Sequence, residues 1–140
     1  MLARRLPRRS GMKDRLNATT DTIIACAIAV HRALGPGLLE SAYEACLAYE
    51  LQKRGVSFET QKPLPVVYGD VQIDCACRMD FVVNDDIVVE VKSVKQLTPV
   101  HEAQLISYLR LAKKTVGLIN FNVKRLVDDG IRRRVNNFPE

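Results

Sequence analysis

The residue types whose spacing could do chemistry lie in "CRMDFVVNDDIVVEVKSVKQ", residues 77–96. Asp80 precedes Glu90 by ten residues, and Lys92 follows Glu90 by two. If residues 84–86 form the loop of a β-hairpin, Asp80 lies directly opposite Glu90 on the neighbouring strand. Opposed carboxylates repel each other. The pattern therefore predicts a site that needs something to compensate two negative charges.

Strand alternation divides this hairpin into two faces. The predicted core face is apolar: Met79, Phe81, Val83, Ile87, Val89 and Val91. The other face carries Arg78, Asp80, Glu90 and Lys92. Three arrangements would satisfy the two acids: a divalent cation between them, a raised pKa that keeps one protonated, or diagonal ion pairs with Arg78 and Lys92. The hairpin alone slightly favours the ion pairs, because charged surface ladders are common.

Further polar residues come from the segments on both sides of the hairpin. After it, His101, Gln104 and Tyr108 recur at helical spacing and form a polar stripe. A helix in this position could lay that stripe over the carboxylates. Before the hairpin, Glu40 starts a helical pattern just past "GPG", and the polar side chains of Tyr43 and Glu44 follow one turn later.

The elements that must position these residues follow from periodicity and turn signals. We predict helices over about residues 20–34 and from residue 40 to the glycine at 55, then a hairpin turning at Gly69-Asp70 and the acidic hairpin. Thr98-Pro99 begins another helix, and "TVGLINF" is a continuously apolar strand. The order predicts an α/β domain whose mixed sheet is flanked by helices.

With these motifs in place, the sequence resembles the PD-(D/E)xK nuclease superfamily, and within it the small group called GxxExxY proteins. The naming motif is Gly37-Leu38-Leu39-Glu40-Ser41-Ala42-Tyr43. "RMDF", "VVEVKSV", "TPVHEAQLISYL" and "GLINFNVKRL" follow in the family's order, so the resemblance covers about residues 20–128. It implies a restriction-endonuclease-like core, ordered αβββαβ.

The resemblance also implies a metal site. Asp80 and Glu90 would bind Mg²⁺ or Mn²⁺ with the backbone carbonyl of Val91, and Glu40 would be a further ligand, directly or through water. Lys92 would orient or help to deprotonate the attacking water. Oxygen ligands of this kind suit Mg²⁺, and a bound ion would stabilise the charge that develops on a phosphate.

Other residues would meet the substrate. In the same resemblance, Gln104 and Tyr108 position water or the scissile phosphate, and Tyr108, His101 and Tyr43 contact nucleic acid. We therefore expect a Mg²⁺- or Mn²⁺-dependent phosphodiesterase that cleaves nucleic acid, with DNA favoured over RNA. The alternative is a non-catalytic nuclease-fold module that binds nucleic acid or a partner protein.

Composition sets the remaining expectations. A chain of 140 residues with 47% hydrophobic residues fits one globular domain. Residues 1–16 hold six Lys or Arg and one Asp, so they carry the whole formal charge of +5. We expect a flexible basic arm over residues 1–16, and a single nuclease-like domain over 17–140.

The cysteines and the hydropathy pattern bear on the setting of the protein. The four cysteines lack the paired spacing of zinc or iron–sulfur sites, so they indicate reduced thiols and a cytoplasmic location. No apolar run is long enough for a membrane span. We expect no membrane partner, and a homo-oligomer is compatible with the sequence.

Overall fold

The computed structural model describes residues 9–112 and 114–134. In chain order the elements are α1 (Arg9–Leu34), α2 (Glu40–Lys53), β1 (Phe58–Tyr68), β2 (Val71–Val83), β3 (Ile87–Lys92), α3 (Pro99–Ala112), β4 (Thr115–Asn120), a π-helical turn (Leu126–Gly130) and β5 (Ile131–Arg134). Two helices, three strands, a helix and a strand thus follow one another as the sequence predicts. The predicted starts of α2 and α3 are confirmed.

The strands form one five-stranded sheet in the order β1-β2-β3-β4-β5. Neighbouring strands are antiparallel except for β3 and β4, which run parallel because α3 connects them. The predicted α/β architecture, a mixed sheet flanked by helices, is confirmed. The sequence left the chain after residue 121 unassigned, and there the structure has the π-helical turn and the edge strand β5.

The acidic hairpin has the predicted register. Val83 pairs with Ile87 and Phe81 with Val89. Its loop turns tightly because Asn84 and Asp85 adopt left-handed backbone conformations, with φ of +51° and +56°. Asn and Asp tolerate this conformation better than other side chains, since they hydrogen-bond locally.

The two faces of the sheet pack against different helices. α1 and α2 cover a cluster that includes Phe81, Val83, Ile87, Val89 and Val91. α3 covers a second cluster with Leu64, Met79, Val82, Val88, Leu105, Tyr108 and Leu109. The expectation that Met79 shares the face of Phe81 was therefore wrong. The alternation breaks at Asp80, opposite which β1 has Gln61 in a left-handed conformation, with φ of +51°.

α1 begins well before the predicted start near residue 20. Leu16 is buried, and the hydroxyls of Thr19 and Thr20 donate to the carbonyls of Arg15 and Leu16 within the helix. Residues 9–16 of the basic segment are therefore helical, and residues 1–8 lie outside the described part of the chain. No helix in the described ranges is both long and apolar enough to cross a membrane.

Candidate active site

Backbone N–H groups of β2 and β3 hydrogen-bond to the side chains of Glu90 and Asp80 and hold the two acids close together. The Asp80 N–H donates to Glu90 Oε1 at 3.2 Å, and the Val91 N–H donates to Asp80 Oδ2 at 2.9 Å. Each carboxyl group thus accepts a hydrogen bond from the strand that carries the other. Both acids are held at one point between β2 and β3, with little freedom to separate.

Glu90 is a buried acid, with only 4% of its surface exposed. Burial and the neighbouring charge of Asp80 raise its pKa from 4.5 to about 8, although the Asp80 N–H and the Lys92 ammonium act in the opposite direction. Among the ion pairs of residues 9–112 and 114–134, none joins Arg78 to Glu90 or Asp80 to Lys92. Of the three arrangements, the raised pKa of Glu90 therefore favours a protonated acid over a surface ladder in the metal-free protein.

Glu40 reaches the end of β3 from the start of α2. Its Oε1 accepts the N–H of Ser93 at 3.2 Å, and the Ser93 hydroxyl donates to the carbonyl of Leu38 at 2.5 Å. Ser93 directly follows Lys92. The third predicted acid thus lies beside the residue that follows β3, and as an acid in the first turn of α2 it is also favoured by the helix dipole.

Two residues without a predicted role also belong to this cluster. The amide of Gln61 donates to Glu44 Oε2 at 3.2 Å and to Asp80 Oδ1 at 3.4 Å. Burial and then the charges of Asp80 and Glu40 raise the pKa of Glu44. The position of Glu44, one helical turn after Glu40, is a signal in the sequence that could have placed it in this cluster. Gln61 gave none, because its left-handed backbone conformation appears only in the fold.

The polar stripe of α3 reaches the buried acids through Tyr108. Tyr108 is buried, and burial followed by the charge of Glu90 raises its pKa. Gln104 is exposed and donates through Nε2 to the Tyr108 hydroxyl at 3.2 Å. His101 accepts the N–H of Thr98 through Nδ1 at 3.0 Å, so it caps the start of α3. Its predicted contact with nucleic acid stays a prediction.

Tyr43 has a structural position instead of the predicted contact with nucleic acid. Its side chain is completely buried and stacks on Phe121, with ring centroids 4.6 Å apart. The hydroxyl donates to the Gly35 carbonyl at 2.6 Å and accepts the Leu38 N–H at 3.1 Å. A nucleic acid has no access to this ring. Tyr43 holds the loop that leads into Glu40.

The donor set suits a hard divalent cation. No group of three or more His, Cys, Asp or Glu side chains in the described ranges is close enough to form a ready-made metal cage. Mg²⁺ needs no such cage, since it commonly binds through one or two carboxylates and keeps waters and substrate oxygens as its other ligands. Asp80 and Glu90, with the adjacent Val91 carbonyl, meet that requirement.

Comparison with known proteins identifies the class of this fold and site. A family model described as the PD-(D/E)XK nuclease superfamily matches residues 17–134. The chain therefore belongs to this superfamily, whose members generally use divalent metal ions. No curated protein and no solved structure gives a significant match.

Replacing Tyr43 by Phe should lower the free energy of unfolding by about 1–3 kcal/mol, because the Gly35 carbonyl and the Leu38 N–H lose their shared partner. The matched control is Tyr49→Phe in the same helix, where the ring is 63% exposed. Urea unfolding of both variants measures the difference. Equal stability of the two variants would show that the hydroxyl of Tyr43 does not support the loop.

Without metal, the free energy of unfolding should fall as the pH rises from about 4.5 to about 8. The folded protein keeps the Glu90 proton over this range, since its pKa is raised to about 8, whereas the unfolded chain releases it near 4.5. Glu90→Gln removes this dependence. In EDTA, the drop in Tm between pH 5 and pH 8 should be smaller in Glu90→Gln than in wild type, by roughly 5 °C or more. The exposed Glu59→Gln should behave as wild type.

Proposed function

We propose that this protein is a Mg²⁺- or Mn²⁺-dependent nuclease that hydrolyses phosphodiester bonds, with DNA as the favoured substrate over RNA. One observation carries the proposal: the buried Glu90 is held against Asp80 by two backbone hydrogen bonds, and Lys92 follows on the same strand. A pair of acids confined in this way is costly for the fold. Binding of a divalent cation would explain why the fold keeps the two acids together despite this cost.

The metal would lie between Asp80 and Glu90, with the Val91 carbonyl as a third protein donor. Glu40 would complete the set, directly or through water, because its second carboxylate oxygen is not the one that accepts the Ser93 N–H. A bound Mg²⁺ would lower the pKa of a water molecule bound to it and neutralise negative charge on the phosphate. Ionised carboxylates are required, so metal binding must displace the Glu90 proton.

The remaining side chains position substrate and water. Lys92 lies two residues after Glu90 on β3, and its charge lowers the pKa of both Glu90 and Glu44, so it acts on this site. There it orients the attacking water and stabilises the phosphate as negative charge builds up. Gln104 and the Tyr108 hydroxyl donate hydrogen bonds to water or phosphate beside Glu90. The amide of Gln61 keeps Asp80 in place.

Two further points belong to this proposal. The motif Gly37, Glu40 and Tyr43 supports membership of the GxxExxY group. The free thiols of Cys26 and Cys46 suit a reducing compartment, so we place the activity in the cytoplasm.

A binding module without turnover is the second candidate. The observation in its favour is the clustering of basic residues at the start of the chain, where residues 1–16 carry the whole formal charge of +5 and can attract phosphate without a metal. Such a module would bind nucleic acid equally well with EDTA and with Mg²⁺, since phosphate contacts by Lys and Arg need no metal.

Asp80→Asn and Lys92→Ala should each lower the rate of cleavage of labelled DNA in Mg²⁺ by on the order of 100-fold or more. Asp80→Asn removes a charge that holds the cation, and Lys92→Ala removes the cation that acts on water and phosphate. Gel assays on single- and double-stranded DNA and RNA, with and without EDTA, measure the effect and give the substrate class.

Matched controls for these variants are Asp74→Asn, an exposed acid on the same strand as Asp80, and Lys53→Ala, an exposed lysine at the end of α2. Both should cleave at the wild-type rate. Undiminished cleavage by folded Asp80→Asn would overturn the proposed site. Metal-independent binding without cleavage by wild type would establish the binding module instead.

A further inference from the structure

A cavity of about 230 Å³ lies between α1 and the π-helical turn, outside the candidate active site. It is lined by Ile28, His31, Arg32, Arg125, Leu126 and Val127. Two arginines therefore share one small concave surface. Two exposed guanidinium groups on one concave surface give it a positive potential that attracts an anion.

Only part of this positive charge is balanced within the protein. Arg125 Nε lies 3.0 Å from Asp128 Oδ2, in an ion pair whose two side chains are both exposed. Within the described ranges, Arg32 forms no ion pair. Cations at the other end of the sheet are used differently: Arg15 pairs with Asp86, and Lys114 pairs with Asp85.

Hydrogen bonds connect the cavity to the catalytic strand. The Nε2–H of His31 donates to the Val123 carbonyl at 2.8 Å, which holds the loop after β4 against α1. At the other end of that loop, the Phe121 N–H donates to the Lys92 carbonyl at 3.0 Å. Residues 121–125 therefore link the end of β3 to the cavity wall, and hydrogen bonds fix this segment at Phe121 and at Val123.

The loops after β3 and β4 are also joined to each other. Asn120 is buried, and its Oδ1 accepts the N–H groups of Val94 and Asn122, both at 3.1 Å. Its Nδ2 donates to the Val94 carbonyl at 2.9 Å. Since β3 and β4 are parallel and Lys92 pairs with Asn120, both loops leave the same edge of the sheet. The cavity and the candidate active site thus share that edge.

We propose that this cavity is a phosphate-binding subsite, in which Arg32 and Arg125 hold a backbone phosphate of the nucleic acid strand away from the scissile bond. Guanidinium groups bind phosphate oxygens through paired, charge-assisted hydrogen bonds. His31 is a positioning residue, because it ties the loop that carries Arg125 to the helix that carries Arg32. The substrate class rests on the proposed function, whereas the subsite itself is tested by binding alone.

The test uses the full chain with Asp80→Asn, so that cleavage does not interfere. Fluorescence anisotropy with a labelled single-stranded DNA oligonucleotide in EDTA, at several salt concentrations, gives the affinity and its salt dependence. Adding Arg32→Gln and Arg125→Gln should weaken binding on the order of tenfold at low salt and reduce the slope of log affinity against log salt by roughly 1.4, for two lost contacts to a single strand.

The matched control adds Lys53→Gln and Arg54→Gln to the same background. These two substitutions remove the same amount of charge at exposed positions, at the end of α2 that lies far from Glu40. The control should keep the affinity and salt slope of its parent within about twofold. An equal loss in both double variants would reduce the effect to net charge and overturn the subsite. Failure of the parent to bind DNA would overturn it as well.

Val127 provides a second test that leaves both arginines in place. Its side chain is 64% exposed at the cavity, so substitutions there should not disturb the core. Val127→Glu should weaken DNA binding and Val127→Lys should strengthen it, each severalfold. Equal affinities of the two would contradict the proposal.

The results for the subsite and for the nuclease can be told apart. If wild type cleaves DNA and the arginine variant binds it as well as its parent does, the subsite alone is refuted. If the arginine variant loses affinity and wild type does not cleave, the nuclease alone is refuted.

Discussion

The burial of Glu90 beside Asp80 is the constraint on which the rest of the structure depends. An ionised carboxylate in apolar surroundings is unfavourable, and a second one nearby adds repulsion. The strand backbones nevertheless hold both groups in contact through hydrogen bonds to each acid. The pair can be relieved by a proton or by a cation. A proton neutralises Glu90 when no metal is present, and a divalent cation is what members of this superfamily generally use.

The surrounding elements keep this pair from moving apart. α3 lays the buried Tyr108 near Glu90, and β1 contributes the amide of Gln61, which spans Asp80 and Glu44. Gln61 does so from a left-handed backbone conformation within a strand. Strained backbone of this kind tends to occur at functional sites, where the surrounding structure enforces it.

The parallel pairing of β3 and β4 explains why the polar loops lie at one end of the sheet, at the carboxyl ends of these two strands. The loops that follow antiparallel strands lie at opposite ends of a sheet, whereas the loops that follow parallel strands lie at the same end. The buried Asn120 then joins the two loops, and the loop before Glu40 is fixed to them through Ser93 and Tyr43. Ligands of open α/β sheets commonly bind at this carboxyl edge.

The sequence by itself determined the order of elements and the register of the acidic hairpin from Phe81 to Val89, and it indicated that Asp80 and Glu90 lie close together. These features follow from local periodicity and turn chemistry, which act over a few residues. The structure decided what depends on distant contacts: the left-handed Gln61 that reaches Asp80, the face of Met79, the burial of Tyr43 and the cavity with Arg32 and Arg125. Residues far apart in the chain meet there because of the packing of helices on the sheet, which no local pattern encodes.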